Sequence, residues 1–433
     1  MKTTLSELEI LLQQIASLLL YQNVLADLPG QTYLALLQEL VKEGKGRGDR
    51  DQLLYAYGDW FRAMATTQQN WQDYLLSCLL RDNNPFTQQV VQHHDLSKLP
   101  PAVVAAARHD LRILQRLHSS DGDRLLQWWA AIAPDLAMPI GWCENHTAHS
   151  DLQARLHRFD DWAEALEIIA AIYRSQGVGV FAQFKAFRWQ AGELMGIPHP
   201  DPVQPEELVG YETQKETLLK NTQALLNGYP ALHVLLYGSR GSGKSSLVKS
   251  LLNKLGDRGL RLVEVAKSEL YALPEIVERL QNSPLKFIIF VDDLSFEEDD
   301  DAYKALKVVL EGTLTARPAN VVVYATSNRR HLIREFFDDR PRPRDADEIH
   351  HWDTVQEKLS FSDRFGLTLT FEPADQLTYL QIVQALATQF NLSLPTEELE
   401  FRALQWATRH NGRSGRSARQ FIDFLRAELA MAG

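Results

Sequence analysis

The sequence predicts an α/β protein in which a mostly α-helical N-terminal domain precedes a parallel β-sheet covered by helices and a helical C-terminal subdomain. Two observations support this prediction: the spacing of apolar residues changes along the chain, and a proline-rich stretch lies where it changes. Before residue 198, apolar residues recur at helical spacing. After residue 206, short apolar runs alternate with helical segments, as in a parallel sheet buried on both faces.

The pattern of residues 1–197 is typical of a domain built almost entirely from helices. Helical spacing of apolar residues occurs over 5–20, 31–42, 52–65, 70–80, 101–118, 123–133, 151–158 and 161–175. Ser6 and Glu9 have the spacing of a capping box near the start of the first helix. The segment 178–190 fits neither period clearly. No motif here indicates a chemistry, so we expect this domain to select an unknown protein partner.

A cluster of prolines marks the boundary after this domain. Pro198, Pro200, Pro202 and Pro205 fall within the stretch GIPHPDPVQPEE. Proline has no amide proton and stops a helix, so residues 198–206 are expected to form an extended linker. Apolar runs follow at 232–238, 260–266, 286–293, 320–328 and 367–373. They predict a core of five parallel strands over 207–373, and the helical pattern after it predicts a subdomain over 374–433.

Composition and charge restrict the class of protein. The 433 residues are 45% hydrophobic and 23% charged, as in ordinary globular proteins. The net charge of −11 disfavours a general nucleic-acid coat, which needs clustered cations; a local basic surface is not excluded, so nucleic acid is a possible partner but not an indicated one. Only two cysteines occur, and no uncharged apolar stretch reaches the about 18 residues that span a membrane. We therefore expect a cytoplasmic protein.

The stretch GSRGSGKSS has the pattern of a phosphate-binding loop. Its residues are Gly238, Ser239, Arg240, Gly241, Ser242, Gly243, Lys244, Ser245 and Ser246. It follows an apolar strand and precedes a helical run, which is the context that the motif requires. Glycines let backbone amides face phosphate oxygens, Lys244 supplies charge for the β and γ phosphates, and the Ser245 hydroxyl is a ligand for Mg²⁺. The loop therefore predicts binding of ATP with Mg²⁺.

Two carboxylates and an amide follow later strands. Asp292 is expected to orient Mg²⁺ and Asp293 to polarise the attacking water, although glutamate is usual at the second position. Asn328 ends the run ATSN, at the sheet edge where ligands of α/β sheets bind, and is expected to contact the γ-phosphate or the water. The alternative for Asn328 is a helix N-cap.

Three arginines are candidates for contacts with phosphoryl oxygens, because the guanidinium fork matches them. Arg364 precedes the last strand and is expected to serve a neighbouring subunit as an arginine finger. The alternative is a surface ion pair with Asp363. Arg416 and Arg419 lie at the start of the last helix, and one of them is expected to contact the γ-phosphate from the helical subdomain. Spacing alone does not separate the two.

Together these motifs resemble those of AAA+ ATPases. The runs LLYGSRGSGKSSLVK, FVDDLSF, YATSNRRHL and LSFSDRFGL resemble a bacterial family of predicted AAA+ ATPases known only as a domain of unknown function. The resemblance covers about 206–433 and implies an αβα core with a helical lid. It also implies a homo-oligomeric ring or open arc with ATP at the subunit interfaces, and an adenine near Val209, Gly210 and Tyr211.

Taken together, these expectations predict an ATPase that couples ATP binding and hydrolysis to the remodelling of a protein or protein–nucleic-acid partner. Two alternatives stay open. One is a switch in which ATP sets assembly and hydrolysis resets it, and the other is a DNA-associated loader or helicase-like ATPase. The acidic balance and the lack of a recognisable helix-turn-helix disfavour the DNA-associated alternative.

Overall fold

The computed structural model describes residues 2–93, 95–142, 150–156, 158–296, 301–311, 318–328, 361–410 and 412–432. It divides into two compact units, residues 1–183 and residues 184–433. The first is helical and the second holds the sheet, so the predicted fold class is confirmed.

Helices dominate the described part of the first unit. They are α1 (Lys2–Ala16), α2 (Leu28–Gly44), α3 (Arg50–Thr67), α4 (Trp71–Arg81), α5 (Pro85–Gln92), α6 (Pro101–His118), α7 (Gly122–Ile132), α8 (Ser150–Leu156), α9 (Leu166–Gln176) and α10 (Val180–Gln183). The predicted helices are all present. Because Ser6 lies inside α1, the predicted capping box is wrong. None of the described helices is long and apolar enough to cross a bilayer.

Helix α5 was not predicted, and its start shows which local signal would have found it. Asn84 caps the helix: its side-chain oxygen accepts hydrogen bonds from the backbone N–H groups of Phe86 and Thr87, at 2.9 and 3.0 Å. Pro85 occupies the first helical position, where its missing amide proton does no harm. The Asn-Pro pair is thus the start signal of a helix that has too few turns for a clear apolar period.

The core of the first unit is rich in aromatic side chains. Tyr33 stacks on Trp71 with ring centroids 4.0 Å apart and donates a hydrogen bond to the Ser120 carbonyl. The buried carboxylate of Asp110 accepts hydrogen bonds from the backbone amides of residues 19–21, in the connection between α1 and α2. These contacts satisfy buried polar groups and hold α1, α2, α4 and α6 around one core.

The second unit contains one seven-stranded sheet. Its strands are β1 (Ala186–Gln190), β2 (Glu193–Ile197), β3 (Val234–Gly238), β4 (Leu260–Glu264), β5 (Lys286–Val291), β6 (Val321–Ser327) and β7 (Leu367–Phe371). The order is β2-β1-β4-β5-β6-β3-β7, and every neighbouring pair is parallel except β2 and β1. Strands β3 to β7 are the five predicted strands.

Strands β1 and β2 correct two predictions. The sheet has seven strands where five were expected, and the first unit ends at residue 183, whereas the predicted domain ended at 197. β1 pairs in parallel with β4, and its side chains Phe187 and Trp189 are buried. Each of these strands has five residues, so their period-2 pattern is short, and pairing with β4 depends on a segment about 70 residues away.

Helices complete the described part of the second unit. They are α11 (Glu212–Leu226), α12 (Lys244–Leu255), α13 (Leu273–Gln281), α14 (Asp301–Glu311), α15 (Gln376–Gln389), α16 (Thr396–Arg409) and α17 (Gly415–Ala432). The last three form the predicted helical subdomain around their own apolar core, which includes the fully buried Val383, Ala403 and Ile422. Asp375 caps α15 by accepting a hydrogen bond from the Thr378 amide at 2.8 Å.

The parallel register brings three chain segments to one edge of the sheet. Tyr237 of β3 lies opposite Ser327 of β6, and Val291 of β5 lies opposite Ala325 of β6. The residues that follow these strands therefore meet at their carboxyl ends, where α/β sheets bind ligands.

Candidate nucleotide site

A cavity of about 1030 Å³ lies at this edge of the sheet, between the glycine-rich loop and the helical subdomain. Its walls contain most of the predicted site residues: Val209, Gly210, Tyr211, Arg240, Gly241, Ser242, Gly243, Lys244, Ser245, Ser246, Asp292, Asp293, Asn328, Arg416 and Arg419. Gly238 and Ser239 form the base of the loop. Arg364 is not among the described residues that line the cavity.

The loop after β3 has the backbone shape that its glycines predict. Gly238 has φ +136°, and a Cβ atom there would lie 1.9 Å from the carbonyl oxygen of Phe371. The Ser239 amide donates to that same oxygen at 2.9 Å. Gly243, with φ +90°, directly precedes α12. Only glycine combines this close approach with these conformations, and the loop ends at a helix N-terminus, which favours an anion.

Lys244, the first residue of α12, is buried beneath the loop that precedes it. Its ammonium donates hydrogen bonds to the Gly238 and Ser239 carbonyls, at 3.0 and 2.7 Å, and to Asn328 Oδ1 at 3.3 Å. Burial lowers the pKa of Lys244, against the opposing influence of Asp292 and Asp293. The ammonium is held by neutral oxygens, and phosphate oxygens would be stronger acceptors because they are charged.

The oxygen atoms around Asp292 fit a magnesium ion. Asp292 Oδ1 accepts a hydrogen bond from Ser245 Oγ at 2.6 Å and another from the Thr326 hydroxyl. Carboxylate and hydroxyl oxygens are the hard donors that Mg²⁺ prefers, and it usually takes only one or two protein ligands beside phosphates and water. The structure therefore brings the two predicted Mg²⁺ ligands, Ser245 and Asp292, together.

Asp293 and Asn328 form the second half of the acidic cluster. Asp293 has φ +51°, and its amide donates to Thr326 Oγ1 at 2.9 Å. Asn328 Nδ2 donates to Asp293 Oδ1 at 2.6 Å, while Asn328 Oδ1 accepts from Lys244. The Asn328 side chain thus bridges the lysine and the second carboxylate. The segment after residue 328 that it would cap lies outside the described residues, so the capping alternative stays open.

Thr326 was not predicted as a site residue. Its buried hydroxyl donates to Asp292 and accepts from the Asp293 amide, so it joins the two carboxylate positions. In the sequence it is one more residue of an apolar strand. A threonine two residues before Asn328 is the only local signal, and it does not show which way the hydroxyl points.

The two arginines of the last helix have different surroundings in the structure. The Arg416 amide donates to the Gly241 carbonyl at 3.2 Å, and the positive charge of Arg416 contributes to lowering the pKa of Lys244. Arg419 lies over the Phe390 ring, 4.7 Å from its centroid, and its Nε is 3.3 Å from Asp423 Oδ2. Arg416 is therefore the arginine next to the phosphate loop, and Arg419 is engaged within the helical subdomain.

Arg364 makes an ion pair inside its own chain. Its Nε contacts the Glu311 carboxylate at the end of α14, and its side chain is 17% exposed. This partner was not among the predicted ones, because Glu311 and Arg364 are 53 residues apart.

Apolar side chains form the other end of the cavity. Tyr211 packs on Phe371 with ring centroids 4.9 Å apart, and Val209 packs against the core of the helical subdomain. The subdomain adds Ile382, Leu386 and Phe390 to the walls. These three were not predicted, since apolar periodicity locates a helix face without showing which cavity the face borders. The mixed lining suits a ligand with a flat apolar group and a charged group.

One protein family matches most of the second unit. Residues 182–429 match the family described as "Protein of unknown function (DUF815)". The chain belongs to this family. The DUF815 match begins within two residues of the second unit, so it includes β1 and β2 and starts before the 206 expected from the motifs. The predicted resemblance to a family of unknown function is confirmed.

Solved structures overlap with this DUF815 member over about half of its length. A RuvB mutant of Thermotoga maritima has 16% sequence identity and a TM-score of 0.38, covering 53% of this chain and 67% of RuvB. AMPPCP-bound DnaA from Aquifex aeolicus has 17% identity and a TM-score of 0.35, covering 52% of this chain and 65% of DnaA. The fold assignment rests on the sheet, the loop and the helical subdomain described above.

Proposed function

We propose that this DUF815 protein binds ATP with Mg²⁺ in the cavity and hydrolyses it. The observation that carries the proposal is the convergence of Lys244, the Ser245–Asp292 pair and the Asp293–Asn328 pair at one edge of the sheet. A cation, a metal-binding oxygen pair and a carboxylate bonded to an amide are the groups that phosphoryl transfer needs.

Each group has a distinct part in the proposed reaction. Lys244 exchanges its carbonyl partners for the β and γ phosphate oxygens, and the helix N-terminus of α12 adds partial positive charge. Bound Mg²⁺ supplies charge neutralisation at these phosphates, and Ser245 and Asp292 are the residues that would hold it. Asp293 accepts a hydrogen bond from the attacking water, and Asn328 fixes the orientation of that carboxylate.

We further propose that the chain assembles into a homo-oligomer and uses hydrolysis to remodel a protein partner that residues 1–183 select. Arg364 supports assembly, because it is a partly buried arginine near the sheet that lies outside the described walls of its own cavity. A neighbouring chain could use it to stabilise charge in the transition state.

Replacement of Lys244 tests the nucleotide site directly. Lys244→Ala removes charged hydrogen bonds to phosphate, and we expect at least about tenfold weaker binding of a fluorescent ATP analogue with Mg²⁺ present. Lys249→Ala is the matched control, since it changes a lysine on the same helix that is not among the described cavity residues. Equal affinities in wild type and Lys244→Ala would refute the site.

The proposed roles are then distinguished by the rate of phosphate release. This rate is measured for the protein alone and with added DNA, RNA or candidate proteins. Stimulation by a protein supports remodelling. Stimulation by nucleic acid supports a DNA-associated ATPase instead, and a slow, unstimulated rate supports an assembly switch.

A further inference from the structure

The segment 201–203, which we call the strap, borders the nucleotide cavity although it belongs to none of the motifs. We propose that the strap is a wall of the nucleotide site and that Asn253 holds it in place, so that this asparagine sets how long a nucleotide stays bound. The inference rests on the proposed function and names a residue that controls the same site.

One side chain anchors the strap. Asn253, a half-buried residue of α12, donates from Nδ2 to the Asp201 carbonyl at 2.8 Å and to the Val203 carbonyl at 2.7 Å. A primary amide has two N–H donors, so one asparagine can bind both carbonyls at once. The Val203 amide also donates to Asp201 Oδ1 at 3.3 Å, which closes the strap into a turn.

The strap depends on this anchor because of its composition. Four prolines occur between 198 and 205, and none of them has a backbone N–H to give. Prolines disfavour strand pairing, and the Asp201 and Val203 carbonyls take their hydrogen bonds from the Asn253 side chain instead.

The chain connects the strap to two parts of the nucleotide site. The strap starts four residues after Ile197, the last residue of the edge strand β2. After the strap, the chain continues through the short helix Pro205–Glu207 to Leu208. A Cβ atom added to Gly243 would lie 3.7 Å from the Leu208 side chain, so this end of the segment contacts the phosphate loop. Asp201, Pro202 and Val203 line the same cavity as Lys244 and Tyr211.

This placement assigns Asn253 a positioning role. With the anchor intact, the strap covers one side of the bound nucleotide. Without it, the strap detaches from α12 and the cavity opens, while the loop, the carboxylates and Asn328 keep their contacts. Loss of the anchor should therefore speed nucleotide release and leave the chemical step unchanged.

Asn253→Asp tests the role, because aspartate keeps the size but replaces the donors with an oxygen that faces two carbonyls. In the full-length protein we expect a fluorescent ADP analogue to dissociate about tenfold faster, the effect of losing two hydrogen bonds. The single-turnover hydrolysis rate should stay at the wild-type value. Asn282→Asp, an exposed position at the end of α13, makes the same charge change away from the cavity and should match wild type.

Two results would overturn the inference. The first is a wild-type dissociation rate in a folded Asn253→Asp protein. The second uses the wild type alone, which covers the case of a variant that does not fold: hydrogen exchange of the amides at 201, 203 and 204 should slow when ADP is added, and unchanged exchange would show that the strap does not border the nucleotide. Absence of nucleotide binding by the wild type would instead refute the proposed function.

Discussion

At the scale of single residues, the two carboxylate positions depend on a threonine. The Thr326 hydroxyl donates to Asp292 and accepts from the amide of Asp293. The left-handed backbone at Asp293 (φ +51°) is unfavourable for a non-glycine residue by roughly 1–2 kcal/mol, so its surroundings have to stabilise it. Thr326 supplies one such contact and orients the Asp292 carboxylate with the same oxygen atom.

Thr326→Val keeps the shape of the side chain and removes this hydroxyl. We expect the single-turnover hydrolysis rate to fall at least about tenfold, since the Asp292 carboxylate and the Asp293 backbone amide each lose a hydrogen-bond partner, while nucleotide binding without Mg²⁺ stays near wild type. Thr326→Ser should restore most of the rate. Rapid-quench measurement of phosphate release checks this, and equal rates in wild type and Thr326→Val would show that the hydroxyl only fills space.

The two aspartates should have separable effects. Asp293→Asn keeps the oxygen that accepts from Asn328 but loses the charge, so we expect ATP to bind and to be hydrolysed about a hundredfold or more slowly. Asp292→Asn should instead raise the Mg²⁺ concentration needed for tight ATP binding. Mg²⁺ titrations of binding and of phosphate release distinguish them, and a wild-type rate in Asp293→Asn would place the base elsewhere.

At the scale of secondary-structure elements, an ion pair connects α14 to the short helix before β7. Arg364, the last residue of the helix Phe361–Arg364, pairs with Glu311, the last residue of α14. The pair holds the Arg364 guanidinium against α14, outside the described walls of the cavity of its own chain.

Arg364→Ala should bind ATP almost normally and lose hydrolysis, because a finger acts mainly in the transition state. Mixing Arg364→Ala with the inactive Lys244→Ala protein should restore part of the activity, since some interfaces then join an intact loop to an intact arginine. Phosphate release across mixing ratios measures this, with co-assembly followed by light scattering.

Glu311→Gln is the control for the ion pair, because it removes the carboxylate charge and keeps the Arg364 side chain, and it should retain hydrolysis. If co-assembled mixtures of Arg364→Ala and Lys244→Ala recover no activity at any ratio, Arg364 does not act between chains.

At the scale of the whole molecule, the position of the unit boundary predicts which fragments fold. A fragment of residues 184–433 keeps β1 and β2, whereas residues 198–433 lack them and expose β4 as an apolar edge strand. We expect the longer fragment to be folded and to bind ATP, and the shorter one to aggregate or melt at a lower temperature. Circular dichroism melts with nucleotide titrations check this, and equal melting temperatures would contradict it.

Much of the second unit could be predicted because its signals are local. The loop from Gly238 to Ser246 is one contiguous stretch of sequence. Its glycines adopt positive φ angles that other residues rarely adopt, so the motif itself indicates the backbone conformation. The strands β3 to β6 are largely buried along their length and are mostly apolar, whereas β7 alternates buried and more exposed residues. Asp292 and Asn328 follow such strands directly, and parallel pairing brings their ends together.

The remaining features join residues that are far apart in the chain. The Thr326 hydroxyl bonds Asp292, and Asn253 bonds the strap about 50 residues before it. Glu311 forms an ion pair with Arg364, and β1 pairs with β4. Local conformational preference and apolar periodicity indicate which residues are buried. They do not indicate which two side chains or strands contact each other. Those pairings follow from the direction of each side chain after the sheet and its helices have packed, because hydrogen bonds and ion pairs need contact within about 3 Å.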